Sequence, residues 1–184
     1  MTSVLKTGLP WAADNAAFSG FDPAKFTRLL NRIAGEPRCL FAVCPDVVAD
    51  ARATLALWPW WACLIRSKGL PAAFVLQDGQ EDEAMPDADA YFIGGSTDWK
   101  LSTQAADLAA EAKRRGKWLH CGRVNSLRRL RLAYRMGCDS VDGSGYSRFA
   151  QAATKNGRSD MLLERHLKFV RGLEKTEAEQ LLLF

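Results

Sequence analysis

Gly137-Cys138-Asp139-Ser140-Val141-Asp142-Gly143-Ser144-Gly145 is the stretch on which the fold turns. It reads as a short strand that carries a carboxylate, Asp142, into a glycine-rich loop. Gly137 can end the preceding helix in a left-handed cap, and Gly143 and Gly145 allow backbone or ligand to come close. A strand that delivers a reacting group to a permissive loop is how a barrel enzyme builds its site. Taken alone, Asp142 could equally begin a turn, with Asp139 paired to a surface arginine. The pattern gains weight because it recurs along the chain.

Cys39-Leu40-Phe41-Ala42-Val43-Cys44 is apolar throughout and ends at Pro45-Asp46. Ala72 to Leu76 ends at Gln77-Asp78-Gly79, Tyr91-Phe92-Ile93 at Gly94-Gly95-Ser96-Thr97, and Trp118-Leu119 at His120-Cys121-Gly122-Arg123. An earlier apolar run from Trp11 is broken at Asp14. Uniformly apolar strands are covered on both faces and belong to parallel sheets. Helices are expected between them. Asp22-Pro23 starts one, with Phe26, Leu29, Leu30 and Ile33 facing inward and Gly35 as its stop. Val47 to Lys68 reads as two helices split near Pro59, with Trp58, Trp60 and Trp61 clustered at the break to serve the core, base stacking being the alternative. A helix from Leu101 to Arg115 and another capped by Asn125 or Ser126 follow. Six firm strands, with a seventh candidate at Val4, predict an α/β fold of the TIM type, a trimmed or incomplete (β/α) barrel. The expected division is residues 1–155 as barrel and 156–184 as an amphipathic C-terminal helix and tail, with the stripe Leu162, Leu163, Leu167, Val170 and Leu173.

The 184 residues carry a net charge of +4, and the distribution is uneven. No acidic residue occurs from Ala112 to Met136, where Lys113, Arg114, Arg115, Lys117, Arg123, Arg128, Arg129, Arg131 and Arg135 fall. Such a run is either a solvated helix face or a surface that meets a polyanion. Neither a membrane-spanning run nor a leader pattern is read from the sequence, so a cytoplasmic protein is expected. Five cysteines without paired spacing argue for reduced core thiols, and with two histidines they suggest neither zinc nor another cofactor.

Several of these strand ends carry a family resemblance. Tyr91-Phe92-Ile93-Gly94-Gly95 resembles the Ile-Gly-Gly loop of the tRNA-guanine transglycosylase superfamily. The stretch from His120-Cys121-Gly122-Arg123 through a helix to Gly137–Asp142 is similar to its Met-Gly-Val-Gly, helix, Gly-Val-Asp-x-Phe-Asp segment. Asp14-Asn15-Ala16-Ala17-Phe18 resembles its Asp-Ser-Gly-Gly-Phe motif, with alanines where the family has glycines. Pro45-Asp46 and Gln77-Asp78-Gly79 match its base-binding Asp and Gln-Gly positions.

The resemblance implies that Asp142 is the nucleophile at the anomeric carbon and that Asp14 handles a proton on the base. It implies substrate binding by Asp46, Gln77, Gly94, Gly95, His120 and Arg123. A carboxylate can capture an oxocarbenium-like sugar covalently while a second carboxyl moves the proton. The zinc insertion of the tRNA enzymes, with its Cys-x-Cys-x-x-Cys, has no counterpart after Cys138. That departure points to the deazapurine DNA-modification branch, which replaces guanine in DNA by a 7-deazaguanine. The open alternatives are a non-catalytic nucleobase or nucleic-acid-binding domain of the same fold and a DNA glycosylase. Finally, Gln180-Leu181-Leu182-Leu183-Phe184 resembles the Gln-Leu-x-Leu-Phe peptide that docks on the replication sliding clamp; leucines packed on the body are the alternative.

Overall fold

The computed structural model describes residues 8–143 and 168–172. Six parallel strands form one sheet in the order in which they occur in the chain: β1 (Trp11–Ala13), β2 (Cys39–Val43), β3 (Ala72–Leu76), β4 (Ala90–Ile93), β5 (Trp118–Cys121) and β6 (Ser140–Val141). Strand order never reverses, so the sheet lacks the switch point of a doubly wound fold. The helices are α1 (Pro23–Ile33), α2 (Ala51–Ser67), α3 (Thr97–Lys100), α4 (Thr103–Arg114) and α5 (Leu127–Arg135).

Alternation along each strand sorts the side chains into two cores. On the convex face Ala42, Ala72, Phe74, Leu76, Tyr91, Ile93 and Leu119 pack with Leu30, Ile65, Ala109 and Ala133 of the helices. The concave face is built by strands alone, from Phe41, Val43, Ala73, Val75 and Ala90 with Phe92 and Trp118 against them. The sheet is a curled half-barrel. In a flat sheet Phe41 on β2 and His120 on β5 would stand three strand spacings apart, about 14 Å. Their ring centroids are 5.5 Å apart, so the concave faces of these strands turn toward each other.

Local chemistry explains most element boundaries. Asp22, Asp50, Ser96, Ser102 and Ser126 each cap the following helix by accepting a backbone N–H two or three residues on. Of the two caps expected for α5, Ser126 is the one used. The helix expected from Leu101 to Arg115 runs from Thr103 to Arg114, and the Ser102 hydroxyl, taking the Ala105 N–H, separates it from the one-turn α3 before it.

Pro59 does not split α2, which runs unbroken through it. A proline inside a helix costs about 3 kcal/mol or more. Here the residues on both sides are anchored: Trp58 stands edge-on to Phe74 at 5.3 Å, and Trp61 meets Phe21 at 5.3 Å and Phe26 at 5.7 Å. Burial of two indoles, at roughly 1.5–3 kcal/mol for each large apolar side chain, offsets the lost hydrogen bond. Trp60, by contrast, points outward and is 72% exposed.

Cys44 and Cys121 are buried thiols, whereas Cys63 is exposed on α2, against the expectation of core placement. Residues 168–172 are helical. Phe169 rather than Val170 makes the contact there, edge-on to Tyr134 at 5.9 Å and beneath the Arg131 guanidinium, while Val170 is exposed. The candidate strand at Val4, most of the expected C-terminal stripe, and Gln180–Phe184 lie outside the described residues. Among the described residues no helix is long and apolar enough to cross a membrane.

Candidate active site

At the C-terminal ends of the strands a cavity of about 380 Å³ opens, within the roughly 300–1,000 Å³ usual for small-molecule sites. Val43, Val75 and Phe92 contribute its apolar wall, and Asp14, Asp46, Gln77, Gly94, Gly95, Arg123 and Asp142 face it. Seven of the eight residues expected at the site therefore share one cavity. His120 is the exception: it lies directly behind Asp142, with its ring between Phe41 and Phe92.

The β5–β6 side is a hydrogen-bonded relay. Trp118 Nε1 donates to Ser140 Oγ at 2.9 Å, Ser140 Oγ meets His120 Nδ1 at 2.8 Å, and His120 Nε2 meets Asp142 Oδ2 at 3.2 Å. An indole can only donate. In the Nε2–H tautomer the Ser140 hydroxyl donates a hydrogen bond to Nδ1, and Nε2–H donates to Asp142. The other carboxylate oxygen, Oδ1, accepts the Arg123 backbone N–H at 2.7 Å. Although the Asp142 side chain is half exposed, its partial burial is the largest single influence on the carboxyl and pushes it up. The His120 hydrogen bond, the Arg123 N–H and the positive charge at His120 and Lys100 together outweigh burial and hold it below the usual carboxylate range. Asp142 is thus ionised and oriented. Asp139, three residues back, is on the opposite face and pairs with Lys113 at 2.7 Å, a lysine where an arginine was the expected partner.

The central wall is a network around Asp46. Asn15 Nδ2 donates to Asp46 Oδ1 at 2.7 Å and to the Cys44 carbonyl at 2.6 Å, and Gln77 Nε2 donates to Asp46 Oδ2 at 2.6 Å. Gln77 Oε1 accepts the N–H groups of Ala49 and Gly95 at 2.9 and 2.8 Å. Burial leads the balance on the Asp46 carboxyl and raises it above its ordinary value. The Gly95 N–H, expected to read a base, is committed to Gln77, and its carbonyl accepts from the Arg123 guanidinium. Only glycine fits here. A Cβ on Gly94 would lie 2.5 Å from Val75 Cγ1, and one on Gly95, where φ is +69°, would lie 2.6 Å from Asp78 Oδ2.

On the β1 side Asp14 is exposed, and its carboxylate accepts the Ala16 N–H at 3.3 Å. Ala16, Ala49 and Arg123, each in a mouth loop, hold left-handed backbone with φ of 61, 62 and 59°. Strain of this kind collects at sites whose geometry is imposed by their surroundings.

Two members of the site were missed. Asn15 ties β1 to β2, and its neighbour Asp14 drew the attention. Lys100, 7% exposed, faces the cavity and donates from Nζ to the Gly122 carbonyl at 3.0 Å. Burial and the neighbouring Arg123 charge push it down to about 8. The signal available for Lys100 was its place one turn into the helix that follows Gly94-Gly95. Among the described residues, no group of three or more His, Cys, Asp or Glu side chains could hold a metal ion.

Part of the basic run is paired within the molecule. Lys113, Arg114, Arg115 and Lys117 pair with Asp139, Glu111, Glu111 and Asp87. Arg123 and Arg129 donate to backbone carbonyls at the mouth, and Arg128, Arg131 and Arg135 remain exposed on α5. Comparison of the chain with protein-family models and with curated proteins finds no match.

Proposed function

We propose that this protein is a nucleic-acid base-exchange transglycosylase that replaces guanine by a 7-deazaguanine, with DNA as the favoured substrate, on a trimmed (β/α) barrel. The observation that carries the reading is the meeting of three carboxylates in distinct settings in one cavity at the strand ends. Asp142 is ionised and, though half exposed, held by its relay, Asp46 is partly buried and hydrogen-bonded on both oxygens, and Asp14 is exposed at the mouth with a single backbone contact. The motif resemblance assigns the same residues to nucleophile, base recognition and proton transfer.

In the proposed reaction Asp142 attacks C1′ of the flipped nucleotide. The C1′–N9 bond breaks, its electron pair leaves with guanine, and guanine takes a proton at N9 from the Asp14 carboxyl. The deazaguanine then gives its own N9 proton to the Asp14 carboxylate and attacks C1′, and the ester electron pair returns to Asp142. The proton gained by one base and that lost by the other balance over the cycle. Extrusion of a stacked base costs a few kcal/mol, which the Asp46 and Gln77 contacts must offset.

Nucleoside mass spectrometry tests this reading, using DNA and tRNA from cells with and without the protein, supplied with deazaguanine precursors. A protein-dependent deazaguanine deoxynucleoside is expected. Abasic sites would instead mark a glycosylase, and unchanged nucleosides in both pools a binding domain.

A further inference from the structure

A second depression, about 580 Å³ in volume, adjoins the cavity and shares Asp14 and Asn15 with it. Its far wall is α1, which turns Lys25, Arg28 and Arg32 into it. All three are exposed, and among the described residues none is in an ion pair. Two carboxylates also face this groove. Asp14 stands at its junction with the cavity, and Asp22 accepts the Lys25 backbone N–H as the cap of α1. Positive charge therefore grows along the helix away from the mouth, toward Arg32.

We propose that this groove is a second binding site, for the phosphodiester backbone of the DNA strand whose base enters the cavity; the assignment rests on the transglycosylase reading. Three features carry it. The groove is continuous with the cavity through Asp14 and Asn15, so a nucleotide with its base inside would leave its neighbours at the groove entrance. Lys25 to Arg32 spans seven residues of helix, about 10 Å, enough for the cations on that face to meet successive phosphates of one strand. And these cations are in no ion pair among the described residues, whereas the four from Lys113 to Lys117 are each paired, sharing Glu111, Asp87 and Asp139. The resulting path crosses the mouth from α1 toward the exposed arginines of α5.

The test is fluorescence anisotropy of the full chain with a labelled single-stranded DNA, its duplex and the RNA of the same sequence, over a salt series. Free guanine binding is measured in parallel. K25Q/R28Q/R32Q is expected to lower the slope of log K against log salt by about 2 on single-stranded DNA and about 2.7 on duplex, with free guanine binding unchanged. K113Q/R114Q, which removes paired cations, is expected to change the slope by less than 1. A triple variant with the wild-type slope, while wild type still binds DNA, overturns the groove and leaves the transglycosylase reading standing. Guanine binding without binding of any DNA by wild type overturns both the groove and DNA as substrate. A slope change seen on RNA alone overturns DNA as the occupant. Thermal unfolding of each variant confirms that exposed substitutions leave the fold intact.

Discussion

The two rims of the cavity are built in opposite ways. On the β5–β6 rim, Asp142 is fixed on both oxygens, by His120 and by the Arg123 N–H, and a relay through Ser140 and Trp118 fixes His120 in turn. On the β1 rim, Asp14 has the Ala16 N–H at 3.3 Å and stands exposed. A nucleophile gains from being held, because each frozen freedom is one the transition state need not freeze. A residue that gives a proton to one base and takes one from the next gains from reaching both. The contrast between a carboxylate held on both oxygens and one with a single backbone contact suits the proposed two-step exchange.

Breaking the locked rim should have the largest effect. Asp142→Asn is expected to lower exchange by at least about 10⁴-fold, as loss of a covalent nucleophile does, while free-base binding stays near wild type. Denaturing gel electrophoresis with labelled DNA should reveal a protein–DNA adduct for wild type and none for the variant. Exchange within tenfold of wild type would dismantle the asymmetry, since Asp142 would then be only a hydrogen-bonding neighbour.

A smaller effect is expected at Lys100, the buried cation of the same rim. Its folded-state value of about 8 lies below the roughly 10.4 of an unfolded lysine. Between these limits the unfolded chain binds a proton that the native state does not, so the lysine contribution to stability rises as pH rises from about 8 to about 10.4. Urea denaturation at pH 7.5 and pH 10.4 should show wild type gaining relative to Lys100→Met by up to about 3 kcal/mol, at about 1.36 kcal/mol per pH unit. Equal pH dependence in the two proteins would mean that Lys100 is solvated and lends Asp142 little charge.

Much of this architecture was legible in the chain, for a physical reason. Buried parallel strands must be apolar on both faces, so β2, β3 and β4 announce themselves, and helix caps such as Asp22 act within three residues. The seven expected residues that face the cavity could be found because each lies at or just beyond a strand end. What escaped depends on distant contacts. Pro59 signals a break that the burial of Trp58 and Trp61 overrides. Lys100 reads as a surface lysine until β5 delivers the Gly122 carbonyl to it. The basic run reads as a polyanion surface because its acidic partners Asp87 and Asp139 lie some 26 to 30 residues from Lys117 and Lys113, whereas Lys25, Arg28 and Arg32 are too sparse in sequence to stand out.

The β1 rim offers the smallest and sharpest probe. Ala16 adopts φ 61° and ψ 23°, a left-handed conformation that costs an L-residue with a Cβ about 1–2 kcal/mol. Its methyl group is exposed, so little burial compensates. Glycine removes that cost but loses more freedom on folding, by roughly 0.5–1 kcal/mol. The balance favours Ala16→Gly by about 0.5 kcal/mol, an increase in Tm of roughly 1–2 °C for a chain of this size, readable by differential scanning calorimetry. The same backbone turn directs the Ala16 N–H to Asp14 and the Ala17 N–H to Asn15 Oδ1 at 2.6 Å. Glycine holds that turn without strain, so free-base binding should be unchanged. A fall in Tm would show that the turn is stabilised by the alanine itself, and the β1 rim would then be as rigid as its counterpart across the cavity.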